Sequence, residues 1–338
     1  MKPAALLTLL LCSATARHVG YSELSCEGRC GESYNPNDLC HCNSKCSRYN
    51  NCCEDYTLIC GEPITDAETR SVSERLYLKD VNKPTASELQ INPQRLIDNS
   101  QTDGQVDYSP ERFYSYVNEE VLFSRPTYAA FISLLNNYQW MTGEDEEFTP
   151  EQIMEQDNFL TAIMETPIME ELYSFLHSKK KYKTVEEFKE DLKKMWFGLY
   201  SRAYGAQDSS GFEHIFLGEV KKGIVSGFHN WIQFYLAEKR GELNYYSHNF
   251  NNPMTGYPDI LGMQFDWNGY FKEVGSEFVG SSPEFDFAIY TLCFIAKPDG
   301  VCRVRLGGTE VEIQTYTWSK TSYGNGKKYV ASAYPRSP

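Results

Sequence analysis

The sequence is poor in histidine and in positive charge, and it lacks the motifs of several large catalytic classes. Only six histidines occur in 338 residues, so any site built on imidazole is quickly enumerated. No His-Glu-x-x-His is present, which excludes the zinc-protease helix, and no G-x-S-x-G, which excludes the strand-to-helix serine elbow. Gly324-Asn325-Gly326-Lys327 lacks the upstream glycine and the following hydroxyl of a phosphate loop, and no G-x-G-x-x-G opens a helix after a strand. Lysine and arginine number 32 against 46 acidic residues, a net charge of −14. Such a chain has no long-range field to gather polyanions, so a polyanionic ligand would have to be held by a small local basic site. No N-x-S/T sequon occurs, and N-linked glycans are not expected.

What is present is a globular composition, with 41% hydrophobic and 14% aromatic residues. An apolar stretch from Ala4 to Cys12 follows Lys2 and ends in Ser13-Ala14-Thr15-Ala16. That pattern predicts a signal peptide over residues 1–16, and hence secretion. Its length is too short for a membrane anchor, and no later run is long and apolar enough to span a bilayer.

Of eleven cysteines, Cys12 falls in the expected leader and eight crowd together: Cys26, Cys30, Cys40, Cys42, Cys46, Cys52, Cys53 and Cys60. The sequence between them is polar and turn-rich, too short to bury a sufficient core, so cross-links must hold it. Zinc is the competing use of so many thiols, and secretion favours disulfides. Eight cysteines permit about 105 pairings, and spacing alone does not choose among them. The spacing C-x3-C-x9-C-x-C-x3-C-x5-C-C-x6-C, with adjacent Cys52 and Cys53, resembles the somatomedin B domain over residues 22–61. The resemblance implies four bridges, Cys26–Cys42, Cys30–Cys60, Cys40–Cys53 and Cys46–Cys52, and a protein-binding module. The plainer alternative is a stable spacer without a partner.

Residues 62–85, rich in proline and charge, read as a linker. The chain behind it reads helical first. Ser109-Pro110 has the form of an N-cap with proline at the first helical position. Thr149-Pro150-Glu151-Gln152 and Thr184-Val185-Glu186-Glu187 have the form of capping boxes. Val185, Phe188, Leu192, Met195, Trp196 and Leu199 then fall on one helical face, which makes them core. Lys179-Lys180-Lys181 reads as a solvated helix end. Strands are predicted later, at 213–220, 224–229, 285–296, 301–306, 310–319 and 328–334, with a helix near 231–239 and a hairpin turn at 297–300. The pattern is α+β, with helices first and antiparallel sheet after. Cys293 and Cys302 flank one turn, either bridged or as buried thiols.

His214 and His229 are then the histidines of interest, on two predicted neighbouring strands. Paired strands can bring two imidazoles to one substrate group, and a pKa near 6.5 suits one as base and one as acid. Structural histidines, or the start of a metal site, are the alternatives.

The segments F-E-H-I-F-L-G-E, S-G-F-H-N-W, W-N-G-Y-F-K, S-S-P-E-F-D-F-A-I-Y-T-L and a terminal A-Y-P resemble the EndoU uridylate-specific endoribonucleases. The resemblance covers residues 75–335 and, with the front module, is to the animal placental-protein type. It implies an EndoU-like catalytic fold and cleavage of single-stranded, U-rich RNA by attack of the 2′-hydroxyl, leaving 2′,3′-cyclic phosphate ends. His214, His229 and Lys272 match the family's catalytic residues, with His229 assigned as base and His214 as acid. Glu213 and Glu219 match glutamates that support the first histidine. Ser276 would read uracil, and Tyr334, with Ser332 on the same strand face, would stack on the nucleoside. The resemblance also implies Mn2+ or Ca2+, though no compact ligand cluster stands out in the sequence. A monomer is expected. The competing function is a catalytically weak secreted binding or adhesion protein acting through the somatomedin B module.

Overall fold

The front module is held by cross-links. In the computed structural model, which describes residues 24–43, 45–203, 205–250, 256–324 and 326–336, its only helices among those residues are two short turns, α1 (Cys46–Tyr49) and α2 (Tyr56–Cys60). Bridges join Cys26 to Cys42, Cys30 to Cys60, Cys40 to Cys53 and Cys46 to Cys52. These cysteines and Tyr56 make a small core of their own. The expected leader lies outside the described residues.

The segment read as a linker is largely a helix, α3 (Asp66–Leu78), opened by a complete capping box between Thr65 and Glu68. Val72 and Leu76 are buried in the main core. The Thr69 and Ser73 hydroxyls donate to the carbonyls of Arg303 and Arg305. Two apolar residues and two small hydroxyls suffice to seat it, which its high charge density conceals. Beyond it, β1 (Leu89–Ile91) pairs with β2 (Tyr114–Val117). No helix starts at Ser109-Pro110; the Ser109 hydroxyl instead donates to the Tyr246 carbonyl. The helices α4 (Glu119–Leu122), α5 (Pro126–Ser133), α6 (Pro150–Met164), α7 (Pro167–Ser178) and α8 (Val185–Phe197) complete the first half. Thr149 and Gln152 form the expected box. Thr184 caps α8, but the Glu187 carboxylate accepts from the Lys183 amide, one residue earlier than a box requires. Phe188, Leu192, Met195 and Trp196 are core, whereas Val185 is exposed and Leu199 lies past the helix.

The second half carries a hairpin of β3 (Glu219–Lys221) and β4 (Ile224–Ser226), then α9 (Trp231–Arg240). One antiparallel sheet follows, from β5 (Leu243–His248), β6 (Asp259–Trp267) and β7 (Tyr270–Val279). After α10 (Pro283–Ala296), β8 (Val301–Leu306), β9 (Thr309–Thr317) and β10 (Val330–Pro335) make a second, ordered β10-β9-β8. The α+β pattern holds, with two corrections. Residues 285–296, expected as a strand, are α10. This helix is apolar nearly all round because it is buried nearly all round, so it shows no face to betray its period. Residues 297–300 therefore turn from helix to strand and do not close a hairpin. Residues 213–220 were also expected as a strand; only β3 is one, and Glu213–Leu217 forms a π-helical turn.

Cys293 on α10 is bridged to Cys302 on β8, and both are fully buried. The bridge closes a short loop, so replacing both cysteines by alanine should remove about 2–3 kcal/mol and lower Tm by roughly 5–10 °C. A thermal scan with an unchanged Tm would contradict this.

Candidate functional site

The π-helical turn and the loop after β4 set the two histidines side by side. The turn closes when the Gly218 amide donates to the Glu213 carbonyl, five residues back. Such turns recur at functional sites because they re-aim a side chain without ending the helix. Opposite it, Gly227 and Phe228 both take left-handed backbone, with φ of 70° and 67°. A β-carbon on Gly227 would lie 1.8 Å from the His214 carbonyl oxygen, so only glycine allows this approach. Phe228 carries the strain because its ring is wedged among Phe234, Phe265 and Trp267. The Phe228 and His229 amides then donate to the carbonyls of His214 and Ile215, at 2.9 and 2.7 Å. Neither histidine lies on a strand, as had been expected. The two segments are nevertheless stapled backbone to backbone.

Each imidazole is held by Nδ1. His214 Nδ1–H donates to Glu219 Oε2 at 2.8 Å. His229 Nδ1–H donates to the Ser276 carbonyl on β7 at 2.7 Å. Both rings are buried, which leaves each Nε2 for a ligand. Burial, then the nearby Arg202 cation, pushes His214 down to about 4, while Glu219 works against the fall. Burial, then Lys272 and His214, holds His229 well below the usual histidine range. Both are thus neutral at pH 7 in the free protein, and His214 is the one with an anion ready to support an added proton. Lys272, on β7, influences both rings. It is half-buried, and burial lowers it to about 8. Its ammonium donates weakly to the Val225 carbonyl, at 3.4 Å.

The structure therefore brings together His214, His229, Lys272, Glu219 and, through its carbonyl, Ser276. Tyr334 joins them, its ring stacked on that of His229 at 5.0 Å and 27°. Ser332 lies on β10 opposite Tyr316 of β9. Glu213 is fully buried and makes no contact with His214 that matches a supporting role; it lines a cavity with Tyr138, Gln233 and Trp140.

Two supporting residues carried no sequence signal. Arg202 Nε lies 3.2 Å from Glu219 Oε2 and donates to Ser209 Oγ, while Nη2 donates to the carbonyl of Ala331 on β10. Glu146 sits in an acidic run, Glu144-Asp145-Glu146-Glu147, with nothing to single it out. Burial lifts its carboxyl to about 7, with Glu219 and Asp208 adding to the rise. A third, Asn230, was findable: it caps α9, directly after His229, and its amide donates to Asp286.

Residues 68–335 match the family described as endoribonuclease XendoU, and residues 24–63 match the somatomedin B domain. A uridylate-specific endoribonuclease of Paralichthys olivaceus is 58% identical, with 100% of each chain covered. The protein of the same name from Mus musculus is 55% identical over 94% of this chain and 79% of its own length. A solved structure described as XendoU, a splicing-independent snoRNA processing endoribonuclease, superposes with a TM-score of 0.65 at 38% identity. It covers 81% of this chain and 98% of that one.

Proposed function

Because this chain belongs to the XendoU endoribonuclease family, with a somatomedin B domain in front, we propose that it cuts single-stranded RNA at uridylates, leaving 2′,3′-cyclic phosphate and 5′-hydroxyl ends. The observation that carries the chemistry is the unequal support of two neutral imidazoles. His229, its Nδ1–H held by a carbonyl, keeps Nε2 unprotonated at neutral pH, so Nε2 is free to take the 2′-hydroxyl proton. The 2′-oxygen then attacks phosphorus and the bond to the 5′-oxygen breaks. His214, once it has taken a second proton at Nε2 from solvent as the substrate phosphate binds, an imidazolium the Glu219 carboxylate stabilises, gives that Nε2 proton to the 5′-oxygen. Lys272 meets the negative charge that grows on the non-bridging oxygens. Tyr334 offers its ring face to the nucleoside, and Ser276, on the strand that holds His229, reads the uracil edge together with Ser332.

Incubation with oligonucleotides that each contain one uridine or one cytidine tests this proposal. Cleavage 3′ to uridine alone is expected. No cleavage with or without Mn2+ or Ca2+ would leave the alternative, a binding protein acting through the front module. Such a partner would meet Leu39, Tyr49 and Leu58, all exposed. Bridges of this number belong to an oxidising compartment and agree with secretion. Among the described residues no helix is long and apolar enough to cross a membrane, and a monomer suffices to build the site.

The divalent cation implied by the family resemblance would meet unpaired buried carboxylate oxygens in two places, although among the described residues neither set brings three ligand atoms within 4.8 Å of one another. Glu213 Oε1 and Oε2, Glu219 Oε1 and Glu146 Oε2 are buried without hydrogen-bond partners, as are Asp80 Oδ1, Glu284 Oε2 and Asp286 Oδ1. Oxygen is the donor type Ca2+ and Mn2+ take, and water would have to complete the shell at either place. Bound to either set, the ion would neutralise the carboxylates behind His214 or, through Asn230, behind His229. Ca2+ is therefore expected to raise Tm, and either Glu213→Gln or Asp286→Asn should abolish the rise. A shift retained in both variants would exclude both sets.

A further inference from the structure

The Lys179-Lys180-Lys181 run, expected as a solvated helix end, is so only at Lys180, which stays exposed, whereas Lys179 and Lys181 are partly buried. Lys180 pairs with Glu62 at 2.7 Å and Lys179 with Glu68 at 3.1 Å. Lys181 Nζ donates to the Cys60 carbonyl at 2.6 Å, and the Glu62 amide to the Lys179 carbonyl at 2.8 Å. Cys60 is the last cysteine of the front module and is bridged to Cys30, so these bonds fasten the module to the end of α7. A second point of attachment lies elsewhere in sequence. The turn closed by Tyr323 and Lys327 rests directly on the module: a β-carbon on Gly326 would fall 1.9 Å from the Gly28 carbonyl oxygen. Lys327 is in turn anchored to Asp191 of α8 at 2.9 Å. Three residues past that turn begins β10, which pairs through Ser332 with Tyr316 and carries Tyr334 to the face of His229.

We propose that the disulfide module is a positioning element for the catalytic domain. Seated on α7 and on the turn before β10, it sets the placement of β10 and so of the Tyr334 ring. A module tethered by a flexible linker would need neither contact. Its cross-links give it the stiffness for such a role, since four bridges leave it little freedom to yield under load. The inference rests on the proposal that Tyr334 stacks on the nucleoside.

The test uses four variants of the full chain: Gly326→Ala, Gly324→Ala, Lys181→Met and Tyr334→Ala. Gly324 and Gly326 both have positive φ, 49° and 79°, so alanine strains the turn at either place. Only Gly326 touches the module; nothing lies within 4 Å of a β-carbon on Gly324. Steady-state kinetics on a single-uridine oligonucleotide, with Tm measured alongside, should show KM raised about five- to tenfold by Gly326→Ala with kcat nearly unchanged. Lys181→Met should move KM the same way by a smaller factor, Gly324→Ala should leave it near wild type, and Tyr334→Ala should raise it at least as far as Gly326→Ala. Equal KM values for the two glycine variants, with Tyr334→Ala raised, would overturn the positioning role alone. An unchanged KM in Tyr334→Ala would overturn the stacking proposal and this inference with it.

Discussion

His229→Ala is expected to lower kcat/KM on a uridine oligonucleotide by about three orders of magnitude, the loss typical of a positioned general base. The substitution also leaves the Ser276 carbonyl without its imidazole donor, at about 1–3 kcal/mol of stability. Circular dichroism and Tm must therefore show the variant folded before the rate is compared. His214→Ala should cost a similar factor, because the 5′-oxygen is a poor leaving group without its proton. The two losses should not multiply. Base and acid act on one transfer, so the double variant should sit near either single one. A double variant slower by the product of both factors would mean that the two histidines serve separate steps.

Lys272→Ala should lower kcat by about two to three orders of magnitude, comparable to removing one preorganised donor from a developing oxyanion. The pH dependence adds a sharper expectation. Burial lowers Lys272 to about 8, so its charge is present below that pH and lost above it. Activity should therefore fall as pH rises through about 8. Lys272→Arg keeps a cation throughout this range, so it should be slower at pH 7 yet lose that alkaline limb. On the acid side, His229 stays neutral far below the usual histidine range, and the base should not fail until well below pH 6.5. A limb near 8 that persists in Lys272→Arg would assign it to another group.

The sequence exposed those parts of the protein whose residues announce their own geometry. Thr149 and Gln152 name a helix start because their side chains reach only the first turn. The strands at 301–306 and 309–317 alternate because one face is wet. Residues 285–296 gave no such period, since α10 is enclosed on all sides. In the site, His214 and His229 were legible by enumeration of six histidines, and Lys272 only through a family pattern. The strands expected to carry the two histidines pair only over 219–221 and 224–226 and stop short of both. What joins them is a π-helical turn and two left-handed residues, Gly227 and Phe228, whose cause lies in Phe265 and Trp267 far along the chain. Arg202 and Glu146 were invisible for a related reason. Their roles come from burial beside Glu219 and Asp208, and no local spacing encodes that. The docking of the front module on Lys179–Lys181 was likewise hidden, because a lysine run looks the same whether it faces water or the Cys60 carbonyl.

The central claim is that two imidazoles of unequal support, one base and one acid, with one lysine, cut RNA through its own 2′-hydroxyl. Mass analysis of the products from a single-uridine oligonucleotide, taken within one turnover, tests it most directly. A 2′,3′-cyclic phosphate 3′ to the uridine is expected, with no cleavage when that uridine is 2′-deoxy. A linear phosphate appearing first, or undiminished cleavage of the 2′-deoxy substrate, would contradict it.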